Sequence, residues 1–160
     1  MPITIRPASE SDAAVIAEFN NLIAKETEGK SLPAERITRG VEAILDDPSK
    51  GLYFVAEEDA QVVGQLMITY EWSDWRNGNF WWIQSVYVME DYRGKGVFKS
   101  LYNHVMNLAK GRKDVCGIRL YMEKHNERAR KTYEKMGMKK TDYELYEIDF
   151  VMPGGSKRTD

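Results

Sequence analysis

The chain reads as an α/β protein with a mixed central β-sheet and helices on both faces, and three observations predict this. Short apolar stretches at 3–6, 52–56, 62–70, 80–88, 118–122 and 143–150 are bounded by turn residues, as strands are. Between them run segments whose apolar residues recur every three or four positions, as on one face of a helix. The order β-α-α-β-β-β-α-β-α-β interleaves the two kinds, which layers helices against a sheet.

Each element has its own local reason. Residues 3–6 read as a first strand. Ser9-Glu10-Ser11-Asp12 has the form of a capping box, and Val15, Phe19, Leu22 and Ile23 make the stripe of the helix it opens. That helix runs out in the polar stretch Glu26-Thr27-Glu28-Gly29. A second begins near Pro33, repeats Ile37, Val41, Ile44 and Leu45, and stops before Pro48. The strands 52–56 and 62–70 are joined by the acidic turn Glu57-Glu58-Asp59, and Asn77-Gly78 is the hairpin signal before the strand 80–88. Val97, Leu101, Val105 and Leu108 line one face of the next helix. Asn126 caps a further helix carrying Ala129, Tyr133 and Met136 and ended by Gly137. Residues 143–150 form a last strand, with a shorter one at 138–141. We expect one domain over 1–152 and a tag-like or disordered tail at 153–160.

A length of 160 residues suits one domain with a sizeable core. The apolar share of 42% and charged share of 30% are those of a globular protein. A net charge of −2 and a pI near 5.8 argue against nucleic acid as the main partner. No apolar run approaches the roughly 18 residues of a membrane span, and the N-terminus lacks a signal peptide's apolar core. One cysteine, Cys116, makes no internal disulfide, so a cytoplasmic location is expected. His104 and His125 have no ligand spacing, and no metal is expected.

The most informative segment is Tyr92-Arg93-Gly94-Lys95-Gly96-Val97-Phe98-Lys99, directly after the strand 80–88. Two glycines let backbone approach a ligand, and the helix that follows offers unpaired N–H groups at its positive end. That is the physics of a pyrophosphate site. A P-loop needs glycine before its Lys-Ser pair, and Phe98 precedes Lys99-Ser100. A dinucleotide fingerprint needs a third glycine where Lys99 stands. Both fail. What fits is Arg/Gln-x-x-Gly-x-Gly/Ala, met at Arg93 and Gly96 and broken at Phe98, which resembles the acetyl-CoA loop of the GNAT N-acetyltransferase superfamily. Asn126-Glu127-Arg128-Ala129 with Tyr133-Glu134-Lys135 and Gly137 is similar to that superfamily's Asn-x-x-Ala…Tyr-Glu-Lys-x-Gly motif. The order of elements matches over residues 3–150.

The resemblance implies an N-acetyltransferase passing acetyl from acetyl-CoA, a co-substrate, directly to a primary amine; a small basic amine is the expected acceptor, with a protein or peptide as an alternative. A non-catalytic acetyl-CoA-binding domain of the same fold is the alternative, and a homodimer is common among such proteins. It places the pyrophosphate on the backbone of Arg93, Gly94, Lys95, Gly96, Val97 and Phe98, with charge from Arg93, Lys95 and Lys99. It pairs the pantetheine arm with the main chain of Val86, Tyr87 and Val88, one of whose N–H groups polarises the thioester carbonyl. It makes Tyr133 the general acid, since a phenol matches a thiolate leaving group, and brings Asn126 to the cofactor. The segment 82–94 is similar to the spermidine/spermine acetyltransferase branch, but Gln84 stands where that branch has a glutamate suited to be the base. A water relay to Glu26, Glu28 or Glu71 remains, as does direct use of neutral amine. The same order of elements brings Glu26 and Glu28 towards the acceptor. Trp72 and Trp75 form either an aromatic wall for a cationic amine or hairpin and dimer packing. Alternation puts Trp81 and Trp82 on opposite faces, so at least one belongs to the core.

Overall fold

The computed structural model describes residues 2–152 and contains two compact units, Met1–Leu120 and Tyr121–Asp160. The tail expected at 153–160 lies outside the described residues. In the first unit, β1 (Thr4–Pro7), β2 (Leu52–Glu58), β3 (Gln61–Ser73), β4 (Gly78–Val88) and β5 (Val115–Arg119) form one sheet in sequence order. The first four are antiparallel neighbours. β5 lies parallel to β4, because the link between them is a whole helix, α3 (Val97–Lys110). The sheet is therefore mixed, as expected.

Alternation along β2 sorts the helices onto two faces. Tyr53 and Val55 pack with Ile16 and Ala17 of α1 (Ala13–Glu28) and with Val41 and Ile44 of α2 (Ala34–Asp46). Phe54, on the opposite face, meets the His104 ring of α3 at 5.3 Å. That contact makes His104 a packing residue. Each buried side chain of this size stabilises the fold by about 1.5–3 kcal/mol. α3 seats closely: a Cβ on Gly64 would fall 3.0 Å from a Val97 methyl and 3.2 Å from the Tyr87 carbonyl. Trp81 is 3% exposed and Trp82 half-buried on the other face, as alternation requires.

The start of α1 is tied down by charge. The Ser9 N–H donates to Asp12 Oδ2 at 2.7 Å, and Arg6 adds two bonds to the same carboxylate, at 2.8 and 3.0 Å. Arg6 also donates to Glu57 of β2 at 2.8 Å. The Arg6 guanidinium, opposed by burial, holds the Asp12 carboxyl below its ordinary value. A depressed carboxyl stabilises the fold above its unfolded pKa, and that stability is lost as pH falls through the lower folded value. Asp12→Asn should therefore cost about 1–3 kcal/mol at neutral pH, less than a fully buried pair because Arg6 keeps Glu57. Denaturant melts at pH 7 and below pH 4 test this: the gap between wild type and variant must shrink in acid.

Two expectations shift. The strand expected at 118–122 lies at Val115–Arg119, because the parallel register against Asn79–Trp82 fixes it. In the second unit the helix α4 (Glu127–Lys135) forms as expected, and the Ala129 N–H donates to the Asn126 cap at 3.1 Å. Residues 138–141 and 143–150 carry no assigned strand. Apolar alternation supplies a strand's face, while a strand itself is a pairing.

Candidate active site

β4 passes through a short turn, Glu90–Tyr92, and then residues 93–96 lead into α3. Gly94 and Gly96 have φ of 76° and 82°, where a side chain would be strained. A Cβ at either would meet nothing within 4 Å, so this stretch of backbone faces open space. The helical ladder of α3 starts when the Ser100 N–H donates to the Gly96 carbonyl at 3.0 Å. The N–H groups of Val97, Phe98 and Lys99 precede it, and glycine at the cap supplies no side chain to accept from them. The Phe98 ring lies 6.0 Å from that of Tyr102, along the helix. The Lys95 ammonium lies 5.6 Å from the Tyr92 ring.

The strand leading into this loop has an open side within the first unit. Pairing with β5 runs from Asn79↔Val115 to Trp82↔Arg119, and β4 then continues to Val88 with β3 on its other edge. The β3–β4 register slips between Gln65 and Met67, so Ser85 and Val86 both face Leu66, and Ser85 takes φ of 51°. This is a β-bulge, which bends a strand and re-aims its groups. An extended edge of amides and carbonyls therefore runs directly into a glycine loop and the start of a helix. A ligand with an amide-bearing arm and a diphosphate suits that sequence of groups.

At the end of this edge the fold assembles a cluster of three. The Tyr87 hydroxyl donates to Glu26 Oε2 at 2.9 Å, and its ring sits 4.9 Å from Phe19. Arg93 donates from its terminal nitrogen to Glu26 Oε1 and from Nε to the Val88 carbonyl, each at 2.8 Å, above the Tyr87 ring. Burial, reinforced by the Glu26 carboxylate, pushes the Tyr87 phenol above its ordinary pKa. Arg93, expected to lend charge to phosphates, is thus engaged by Glu26, and it covers one carbonyl of the β4 edge. No sequence signal could have found this, since the partners lie 61 and 67 residues apart.

The residues expected near the acceptor separate. Gln84 donates to the Thr69 hydroxyl. On the same face, Trp82 donates its indole N–H to Glu71 Oε1 at 3.0 Å, and Arg119 pairs with that oxygen at 2.8 Å. The indole N–H, with Arg119 adding to it, holds the Glu71 carboxyl below its ordinary value. Trp72 is next to Glu71 in β3 and so points to the opposite face; it is 59% exposed and does not join Gln84. Trp82 is the tryptophan that shares a face with Gln84, and sequence reading missed it. Glu28 lies at the end of α1, 3.4 Å from Lys30. In the second unit, Tyr133 is half-buried on α4, and burial pushes its phenol above the ordinary value. Among the described residues, no cluster of three or more His, Cys, Asp or Glu is placed to hold a metal ion, and no helix is long and apolar enough to cross a membrane.

Residues 16–138 match the family model described as acetyltransferase (GNAT) family. The crystal structure of a possible acetyltransferase from Clostridium difficile 630 is similar at 49% identity and TM-score 0.87, over 95% of this chain and 100% of that one. A predicted acetyltransferase with acetyl-CoA from Clostridium acetobutylicum shares the fold at 21% identity and TM-score 0.74, over 91% and 95%. Glucosamine-6-phosphate N-acetyltransferase from Arabidopsis thaliana does so at 23% identity and TM-score 0.71, over 94% and 100%. No curated protein matches this chain.

Proposed function

We propose, for a chain that belongs to the acetyltransferase (GNAT) family and is an acyl-CoA N-acyltransferase, that it moves acetyl from acetyl-CoA directly to the primary amine of a small basic molecule. The observation that carries the cofactor half is the bulged β4 edge running into the loop of Gly94 and Gly96. In this reading the main chain of 86–88, apart from the Val88 carbonyl that Arg93 occupies, takes the pantetheine arm, and the N–H groups of 93–98 take the diphosphate. The amine nitrogen attacks the thioester carbonyl, the new C–N bond forms, and the tetrahedral oxyanion is held by an N–H of the β4 edge. Collapse breaks the C–S bond. The departing thiolate takes the proton of Tyr133, whose burial keeps it a protonated phenol, and the amine proton passes to water.

The acceptor half rests on the Trp82 indole, since aromatic faces favour a cation, and on the carboxylates Glu26 and Glu71, whose charge Arg93 and Arg119 already share. Gln84 takes no proton. Its amide donates to Thr69, which fits a site with no carboxylate base at that position. The ammonium form then binds and loses its proton in the site. kcat/KM should rise with pH towards the amine's own pKa and keep rising well above pH 7; a profile flat from about pH 6.5 would imply a dedicated base. The acceptor is tested by CoA-thiol release across a panel of amines. Polyamines and aminoalkyl compounds should be turned over, and efficient acetylation of an acidic peptide with those compounds inert would end the small-amine reading.

A further inference from the structure

Behind the β4 bulge lies a set of buried polar side chains that the transfer step never touches. Gln65 is wholly buried, and Asn20 and Tyr53 nearly so. Asn20 Nδ2 donates to the Ile16 carbonyl and to the Tyr53 hydroxyl, both at 3.0 Å. Gln65 Nε2 donates to the Ser85 carbonyl at 3.0 Å. Ser85 is thus held at its carbonyl, in a left-handed conformation that costs a non-glycine residue about 1–2 kcal/mol.

Gln65 is a poor choice for stability alone. Its Oε1 is buried and has no partner among the described residues, a deficit of about 1–3 kcal/mol that an apolar side chain of the same length would not carry. The amide cannot turn over to satisfy it, because that would set its oxygen against the Ser85 carbonyl. What the amide does accomplish is to fix one carbonyl at the bulge.

We propose that Gln65 is a positioning residue for acyl transfer, acting through the Ser85 carbonyl to hold the bulge that aims the main-chain groups of 86–88 at the cofactor. This rests on the acetyl-CoA reading of the β4 edge. If the peptide after Ser85 rotates, the N–H that steadies the oxyanion moves, and a shift of about 1 Å in such a group costs on the order of 10²-fold in rate. The diphosphate contacts sit further along the chain and are untouched.

Gln65→Met keeps the volume and removes both amide atoms. It is expected to melt at or above the wild-type temperature and to bind CoA within about threefold of wild type by calorimetry. Its kcat should fall about 10–100-fold, and amide exchange at Val86 and Tyr87 should quicken. Adding Ser85→Gly should recover part of kcat, because glycine takes the positive φ unaided. Gln65→Leu serves as the second variant should the methionine not fold. Wild-type kcat in a folded variant overturns the proposal, as does a loss of activity that only follows a loss of stability. A wild type that binds CoA poorly overturns the reading of the edge itself, and this inference with it.

Discussion

Gly96→Asp should abolish CoA binding while leaving the protein folded. Gly96 is the N-cap of α3 at φ of 82°, and a side chain built there enters open space in front of the loop. Aspartate tolerates the left-handed region better than most residues and is a favoured cap, so the helix start is kept. Its carboxylate, however, would stand where a diphosphate is to be held. One like-charge pair about 4 Å apart costs about 4 kcal/mol near a protein surface, or roughly 10³-fold in affinity. Gly96→Ala separates the two contributions, since it brings the backbone strain without the charge and should weaken binding only about 5- to 30-fold. Calorimetry on the folded aspartate variant decides the matter, and wild-type affinity there would remove the diphosphate from this loop.

The second large effect is expected at Tyr133. Replacing it with phenylalanine removes the hydroxyl proposed as the proton donor and leaves a ring of nearly the same shape on α4. Acetyl-CoA affinity should stay nearly intact while kcat falls about 10–10³-fold. The phenol lies above its ordinary pKa through burial, so the wild-type profile should show no descending limb near neutrality. A Tyr133→Phe enzyme with unchanged kcat, in a regime where chemistry limits the rate, would reduce Tyr133 to packing.

These predictions draw on residues of unequal legibility. The glycine loop stood out in the sequence as a glycine pair directly before a helix stripe, and Gly94 and Gly96 take a positive φ. The order β1 to β5 and the three helices around them followed from periodicity. Trp72 was not readable as a residue of the other face, because face assignment needs the register of β3 against β4, which the pairing of Ser73 with Gly78 across the turn sets. Nor was the meeting of Glu26, Tyr87 and Arg93, which depends on how α1 lies across the sheet. Gln65 looked like an ordinary strand residue; its complete burial and its bond to the Ser85 carbonyl distinguish it.

The bulge at Ser85 has a consequence for the protein outside any reaction. A long, flat strand edge is a template on which another chain can grow, and proteins pay for exposing one by aggregating. Within the first unit, residues 83–88 form such an edge, yet it is bent by the extra residue, and Arg93 already occupies its last carbonyl. A second copy of the strand would find the ladder out of step at Ser85 and blocked at Val88. A narrow, flexible arm with few amides adapts to that shape where a stiff polypeptide strand does not. Within the first unit, the irregularity that bends this edge therefore also disfavours pairing with the strand of another chain.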